Sequence, residues 1–125
     1  MKNFGFFVIV ITILIVVGGV FISMAKSEKS SANNNPSIDE YFWSVTCPHC
    51  KNIADFMESW DKKDLYQVEK IEINSGSTSQ QRFLQRGIFC KIAQKDLGVP
   101  LLVTAEGKCL QGDTSIIDYL KSLEI

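Results

Sequence analysis

Two closely spaced cysteines are the residues of this chain best suited to chemistry. Cys47 and Cys50 are separated by Pro48 and His49, and they precede a helix-compatible run, 51–60. This order predicts that Cys47 lies at a helix N-terminus, where unpaired N–H groups and the helix dipole favour a negative charge. A thiolate forms more readily there than in free cysteine, so we expect a redox-active dithiol–disulfide couple.

The two residues between the cysteines favour the same interpretation. Pro48 suits the first helical position, because its missing N–H costs nothing there and its φ angle is already helical. His49 is the only histidine of the chain, and a protonated or polar imidazole beside Cys47 would stabilise the thiolate further. Stabilising the reduced form raises the reduction potential. We therefore predict an oxidising couple with Cys47, Cys50 and His49 as its catalytic residues.

Two other interpretations of the cysteine pair stay open. Structural zinc sites use pairs of this spacing, but they need two further ligands, usually as a second close pair. Cys90 and Cys109 are too far apart in sequence to form one, so a structural zinc site is the weaker interpretation and no metal ligand is assigned. A purely structural bridge between Cys47 and Cys50 would close a very short loop, which adds less chain-entropy stabilisation than a long loop does.

Length and charge restrict the class of protein. The chain has 125 residues and a net charge of −1, which is room for one small domain and gives no basic block for nucleic acid. We expect neither a nucleic-acid partner nor a cofactor.

The N-terminal segment is strongly apolar. Residues 4–22 carry no charge and lie between Lys2 and Lys26, and as a helix they would extend roughly 28 Å, close to the thickness of a bilayer. We therefore predict a transmembrane anchor within 1–25 that contacts membrane lipid through 4–22. The alternative is a cleaved signal peptide, because Ser23-Met24-Ala25 places small residues at the positions that a signal peptidase needs.

The chain after the apolar segment separates into a tether and a domain. Residues 26–37 are rich in Ser, Asn and Lys and are predicted to be a flexible linker, and 38–125 form the folded domain. Four cysteines suit an oxidising compartment. We therefore place the protein in the cell membrane as a single-pass protein, with its catalytic domain on the extracytoplasmic side.

Hydrophobic patterns over 38–125 predict an α/β fold in the order βαβαββα. The spacing predicts strands at 40–46, 66–74, 99–104 and 108–111, helices at 48–62 and from Ser79 to about Gly87, and a last helix capped by Asp113 or Thr114. Glu106-Gly107 indicates a hairpin between the last two strands.

These motifs resemble the thioredoxin superfamily, at glutaredoxin-like size. The CPHC sequence follows an aromatic-rich first strand in which Phe42-Trp43-Ser44 is similar to the strand before CPHC in DsbA-type oxidases, and Gly112-Asp113 is similar to the glutathione-side loop of glutaredoxins. The resemblance implies a three-layer fold. It also implies that Pro100 is a cis-proline opposite the cysteines, and that Val99 pairs with the substrate backbone. Thr46 is expected at the rim of the same substrate site.

The chain also departs from this family. Thioredoxins and DsbA-type oxidases have a carboxylate six residues before the first cysteine, where it moves protons for the second cysteine. Tyr41 stands at that position, and Glu40 is expected to point to the opposite face of the sheet. A carboxylate proton shuttle is therefore not predicted.

Cys90 and Cys109 admit three interpretations. A structural disulfide between them would close a long loop and contribute about 3 kcal/mol. Two independent buried thiols would instead behave as small hydrophobic groups. A second redox pair would relay electrons to Cys47 and Cys50.

Together these features predict a membrane-tethered thiol–disulfide oxidoreductase. Cys47 exchanges disulfides with protein or peptide thiols, Cys50 resolves the mixed disulfide in the reductive direction, and a redox partner in the membrane is expected to renew the couple. The alternative is a membrane-tethered module that binds or delivers copper or another soft metal through Cys47, Cys50 and His49.

Overall fold

A computed structural model describes residues 3–24 and 34–125, and for residues 17–24 it describes the backbone alone. The chain divides into two compact units, 1–31 and 32–125. The first unit contains helix α1 (Phe4–Met24). The predicted cleavage site after Ala25 and the linker residues 26–33 lie outside the described residues.

The predicted membrane anchor is not found. Among the described residues, no helix is both long enough and apolar enough to cross a bilayer. The predictions of a transmembrane helix within 1–25 and of a single-pass protein in the cell membrane are therefore wrong for the described chain.

The second unit has the predicted order of elements. It comprises β1 (Asp39–Trp43), α2 (Pro48–Ser59), β2 (Val68–Glu72), α3 (Ser77–Phe89), β3 (Leu101–Val103), β4 (Cys109–Gln111) and α4 (Asp113–Ser122). Every strand is shorter than predicted. The first ends early because residues 44–46 leave the strand in a turn that leads into α2.

The four strands form one mixed sheet in the order β2-β1-β3-β4. β1 and β2 are parallel and are connected through α2, as a crossover requires, whereas β3 runs antiparallel to both β1 and β4. Phe42 lies opposite Leu101 and Glu40 lies opposite Val103. The carboxyl end of β1 and the start of β3 therefore meet at the same edge of the sheet.

Alternation along the strands builds two cores, one on each face of the sheet. Tyr41 and Leu102 face α2 and α4, where they pack with Ile53, Trp60, Ile116 and Leu120. Phe42, Leu101 and Val103 face α3, where they pack with Ile71 and Phe83. The result is three layers with α2 and α4 on one face and α3 on the other.

Helix α3 differs from its predicted bounds at both ends. Its N-cap is Gly76, and Ser79 lies inside the first turn with its hydroxyl 2.9 Å from that of Ser75. The helix also continues past Gly87 to Phe89. A Cβ at Gly87 would lie 2.5 Å from a methyl group of Leu97, so the glycine provides close packing and not a helix end.

An ion-pair cluster fixes α3 to the amino-terminal end of β1. The buried Glu40 carboxylate accepts hydrogen bonds from Arg86 at 2.6 Å and 3.0 Å and from Arg82 at 2.6 Å. Burial raises the pKa of Glu40, but the hydrogen bonds from Arg86 and Arg82 outweigh it and hold that pKa below its usual value. Arg86 also donates to the carbonyl oxygen of Asn34, and Pro36 is buried, so the chain preceding β1 packs on the domain.

Candidate functional site

Cys47 occupies the N-cap of α2 and is bonded to Cys50. The two Cα atoms are 5.2 Å apart, and the Cys50 N–H donates to Cys47 Sγ at 3.1 Å. Pro48 occupies the first helical position. Cys50 is only 4% exposed, whereas Cys47 is half-buried, so the sulfur that an incoming reactant meets is that of Cys47.

A tight turn between β1 and α2 directs Cys47 to the surface. The Cys47 N–H donates to the Ser44 carbonyl oxygen at 3.2 Å. The Ser44 hydroxyl lies 3.1 Å from that of Thr46 and accepts a hydrogen bond from the Asn74 amide, also at 3.1 Å. These polar contacts hold the buried Ser44 in place, while Thr46 and Val45 remain exposed beside Cys47.

The start of β3 lies against Cys47. Cys47 Sγ is 3.7 Å from the carbonyl oxygen of Val99, and the peptide bond between Val99 and Pro100 is cis. The Pro100 ring is buried, and its carbonyl oxygen accepts a hydrogen bond from the Gly112 N–H at 3.0 Å. The segment with Val99 is thereby connected to the residue that begins α4.

The imidazole of His49 contacts a carboxylate. His49 Nδ1 lies 3.1 Å from Asp113 Oδ2, which also accepts a hydrogen bond from Asn52 at 2.6 Å. The other carboxylate oxygen accepts from the Thr114 N–H at 3.0 Å. The hydrogen bonds from Asn52 and His49 lower the pKa of Asp113 to about 2. Within the described residues, no hydrogen bond joins the imidazole to Cys47.

The position six residues before Cys47 supplies no carboxylate. Tyr41 is buried in the core beneath α2, and its hydroxyl has no hydrogen-bond partner within the described residues. Burial raises the pKa of Tyr41 to about 12, so the phenol stays protonated at neutral pH. Glu40 faces α3, where Arg82 and Arg86 bind it.

The second disulfide lies elsewhere. Cys90 and Cys109 are bonded with their Cα atoms 5.9 Å apart. Cys109 lies opposite Val103 at the far end of β3 from Pro100, a displacement of roughly 10 Å along the strand. It packs on the α3 face of the sheet, whereas α2 covers the other face. This separation argues against electron relay to Cys47 within one domain and leaves a structural bridge.

The structure thus brings the predicted catalytic and substrate-binding residues together at one edge of the sheet. Cys47, Cys50, His49, Thr46, Val99 and Pro100 surround the carboxyl end of β1, and Cys90 and Cys109 do not join them. Sequence reasoning missed the roles of Asp113 and Asn52. The sequence predicts Asp113 as a helix cap and as part of a loop similar to that of glutaredoxins, but not as the partner of His49 and Asn52.

The placement of the side chains does not support the soft-metal alternative. Within the described residues, no group of three or more His, Cys, Asp or Glu side chains is placed to hold a metal ion.

Comparison with protein-family models, with curated proteins and with solved structures finds no match to this chain.

Proposed function

We propose that this protein is a thiol–disulfide oxidoreductase that exchanges disulfides with protein or peptide thiols at Cys47. One observation carries the proposal. The half-exposed Cys47 sulfur accepts a backbone N–H at a helix N-terminus, while its partner Cys50 is buried. Such a position stabilises a thiolate, which is both the attacking and the leaving form of the sulfur.

The oxidising direction proceeds through a mixed disulfide. A substrate thiolate attacks Cys47 Sγ, a bond forms between the two sulfurs, and the bond between Cys47 and Cys50 breaks with its electron pair on Cys50. A second substrate thiolate then attacks the substrate sulfur of the mixed disulfide, and Cys47 leaves as a thiolate. The substrate dithiol loses two electrons, and the protein gains two thiols.

The surroundings of Cys47 suit an extended substrate segment. Val99 presents its carbonyl oxygen next to the reactive sulfur, and the buried Pro100 fixes the segment that carries it. Thr46 and Val45 form the exposed rim, and the Val45 side chain is 74% exposed. The side chains of this rim are uncharged, so we expect recognition there through backbone and apolar contacts.

The test is direct exchange with a peptide dithiol. We expect the oxidised full-length protein to convert a reduced peptide with two cysteines to its disulfide form, detected by mass, while one protein disulfide is consumed per peptide. Because the helix N-terminus stabilises the Cys47 thiolate, the reduction potential should lie above the thioredoxin value of about −270 mV when equilibrated with glutathione. A protein whose Cys47–Cys50 bond reacts with peptide thiols no faster than a small linear disulfide would contradict the proposal.

A further inference from the structure

His49 and Asp113 form a contact beside Cys47 that the exchange of disulfides does not itself require. His49 is 68% exposed and lies two residues from the half-exposed Cys47, so its ring is open to molecules that approach this end of α2. Its Nδ1 faces Asp113 Oδ2 at 3.1 Å. In the neutral ring, a proton on Nδ1 is then donated to the carboxylate, and the unprotonated Nε2 is left to accept another proton.

Asp113 is itself held in one orientation. Asn52 on α2 and the Thr114 N–H bind its two carboxylate oxygens, and the hydrogen bond from Gly112 to the Pro100 carbonyl fixes the start of α4 to the segment beside Cys47. A carboxylate that is fixed in this way selects the imidazole tautomer and stabilises the imidazolium that forms when Nε2 gains a proton.

Other side chains near Cys47 are poor proton acceptors. The Tyr41 phenol is buried, and Lys51 is a cation paired with Asp55 at 2.7 Å. The carboxylate of Asp113 is occupied by its donors. Among these side chains, the exposed imidazole is left as the proton acceptor beside Cys47 in the sequence.

We propose that His49 accepts the proton of the incoming substrate thiol and that Asp113 is its positioning residue. The inference rests on the thiol–disulfide exchange proposed above. The substrates concerned are thiols that are mostly protonated at the working pH, as an ordinary protein cysteine is.

As the substrate sulfur forms a bond to Cys47 Sγ, its proton moves to His49 Nε2, and the bond between Cys47 and Cys50 breaks with its electron pair on Cys50. The imidazolium then returns the proton to solvent or to the Cys50 thiolate. No additional oxidant is needed, because the protein disulfide accepts the electrons of the substrate thiol.

A series of small monothiols of increasing pKa tests this role at pH 7. The rate of mixed-disulfide formation is measured for the oxidised wild type and for Asp113→Asn. For each thiol, the wild-type rate is divided by the variant rate, so that the intrinsic reactivity of the thiol cancels. We expect a ratio near one for a thiol of pKa about 6, which is already mostly thiolate, and about tenfold for a thiol of pKa about 9.

A change in Cys47 reactivity or a loosened α4 would shift the ratio equally for every thiol, so only a ratio that rises with thiol pKa supports proton transfer. His49→Gln, an exposed substitution, should give the same rising ratio and covers the case in which Asp113→Asn fails to fold. Asp118→Asn, an exposed acidic residue on the same helix, should give a ratio of one throughout. A flat ratio for both test variants overturns the inference, whereas a wild type that reacts with no thiol overturns the proposed function.

Discussion

Cys47 precedes helix α2, whereas Cys90 follows helix α3 as its C-cap. The positive end of a helix dipole stabilises a thiolate at Cys47, and the negative end disfavours one at Cys90. Neither cysteine pair is deeply enclosed as a whole, since Cys47, Cys90 and Cys109 are all partly exposed. Exposure therefore does not distinguish the two disulfides. They differ in the helix end at which a cysteine lies, which is the N-terminus of α2 for Cys47 and the C-terminus of α3 for Cys90.

The surroundings of the two disulfides differ in the same way. Near Cys47 the contacts are a turn, a carbonyl oxygen of Val99 and the exposed pair of His49 and Asp113. At the other end of β3, Val103 lies beside both Cys109 and the buried Glu40, which two arginines bind. One end of the sheet carries the proposed exchange site, and the opposite end carries the contacts that hold the layers together.

The largest contrast is expected when the reactive pair is changed. Cys47→Ser should reduce exchange with peptide thiols to the uncatalysed rate, because the accessible sulfur is lost. Cys50→Ser should accumulate mixed disulfides at Cys47, because the buried resolving thiol is lost. Non-reducing electrophoresis and mass measurement distinguish the two. Mixed disulfides that accumulate in Cys47→Ser and not in Cys50→Ser would reverse the assignment.

Removing the second disulfide should affect stability and leave exchange intact. The bond between Cys90 and Cys109 joins residues 19 apart, and the chain-entropy relation gives it about 3 kcal/mol, roughly 1 kcal/mol more than a bridge that closes the short loop at Cys47. We therefore expect the double variant Cys90→Ala, Cys109→Ala to lose about 3 kcal/mol in urea unfolding. A loss of exchange activity in the folded double variant would restore the relay interpretation.

The same contrast shows what sequence reasoning could reach. Local patterns predicted the order of strands and helices, and the spacing of Cys47, Pro48 and Cys50 determines the helix N-terminus, because capping depends only on neighbouring residues. The prediction of a membrane anchor was wrong for the described chain.

Contacts between distant segments were beyond local patterns. The pair of His49 and Asp113 joins the starts of two helices that lie about half the chain apart, and Glu40 on β1 binds Arg82 and Arg86 on α3. Such pairs depend on the relative placement of elements, which periodicity does not define. The continuation of α3 past Gly87 was missed for the same reason, because its cause is packing against Leu97.

A smaller loss of stability is expected when the ion pairs of Glu40 with Arg82 and Arg86 are changed. Glu40→Gln removes a buried charge and leaves two guanidinium groups without their shared carboxylate, so we expect a loss of about 2 kcal/mol in the free energy of unfolding. The peptide exchange rate of the folded variant should not change, because Glu40 lies on the α3 face and away from Cys47. Glu58→Gln, an exposed change on α2, is the matched control and should have little effect on stability. Equal losses for both variants would contradict a specific role for the cluster.

The smallest expected effect is the loss of folding stability at acid pH that results from protonation of Asp113. The hydrogen bonds from Asn52 and His49 lower the pKa of Asp113 to about 2, below the ordinary value near 3.9. A group whose pKa is lower in the folded than in the unfolded state stabilises the fold above its unfolded pKa, and this contribution is lost as the pH falls through its folded pKa. Wild type should therefore lose more stability than Asp113→Asn between pH 4 and pH 2.

Glu40 and Glu69, which also have lowered pKa values, are common to both proteins and cancel in the comparison. Thermal unfolding at each pH measures the difference, and a gap between the two proteins that stays constant from pH 4 to pH 2 would show that Asp113 carries no such contribution.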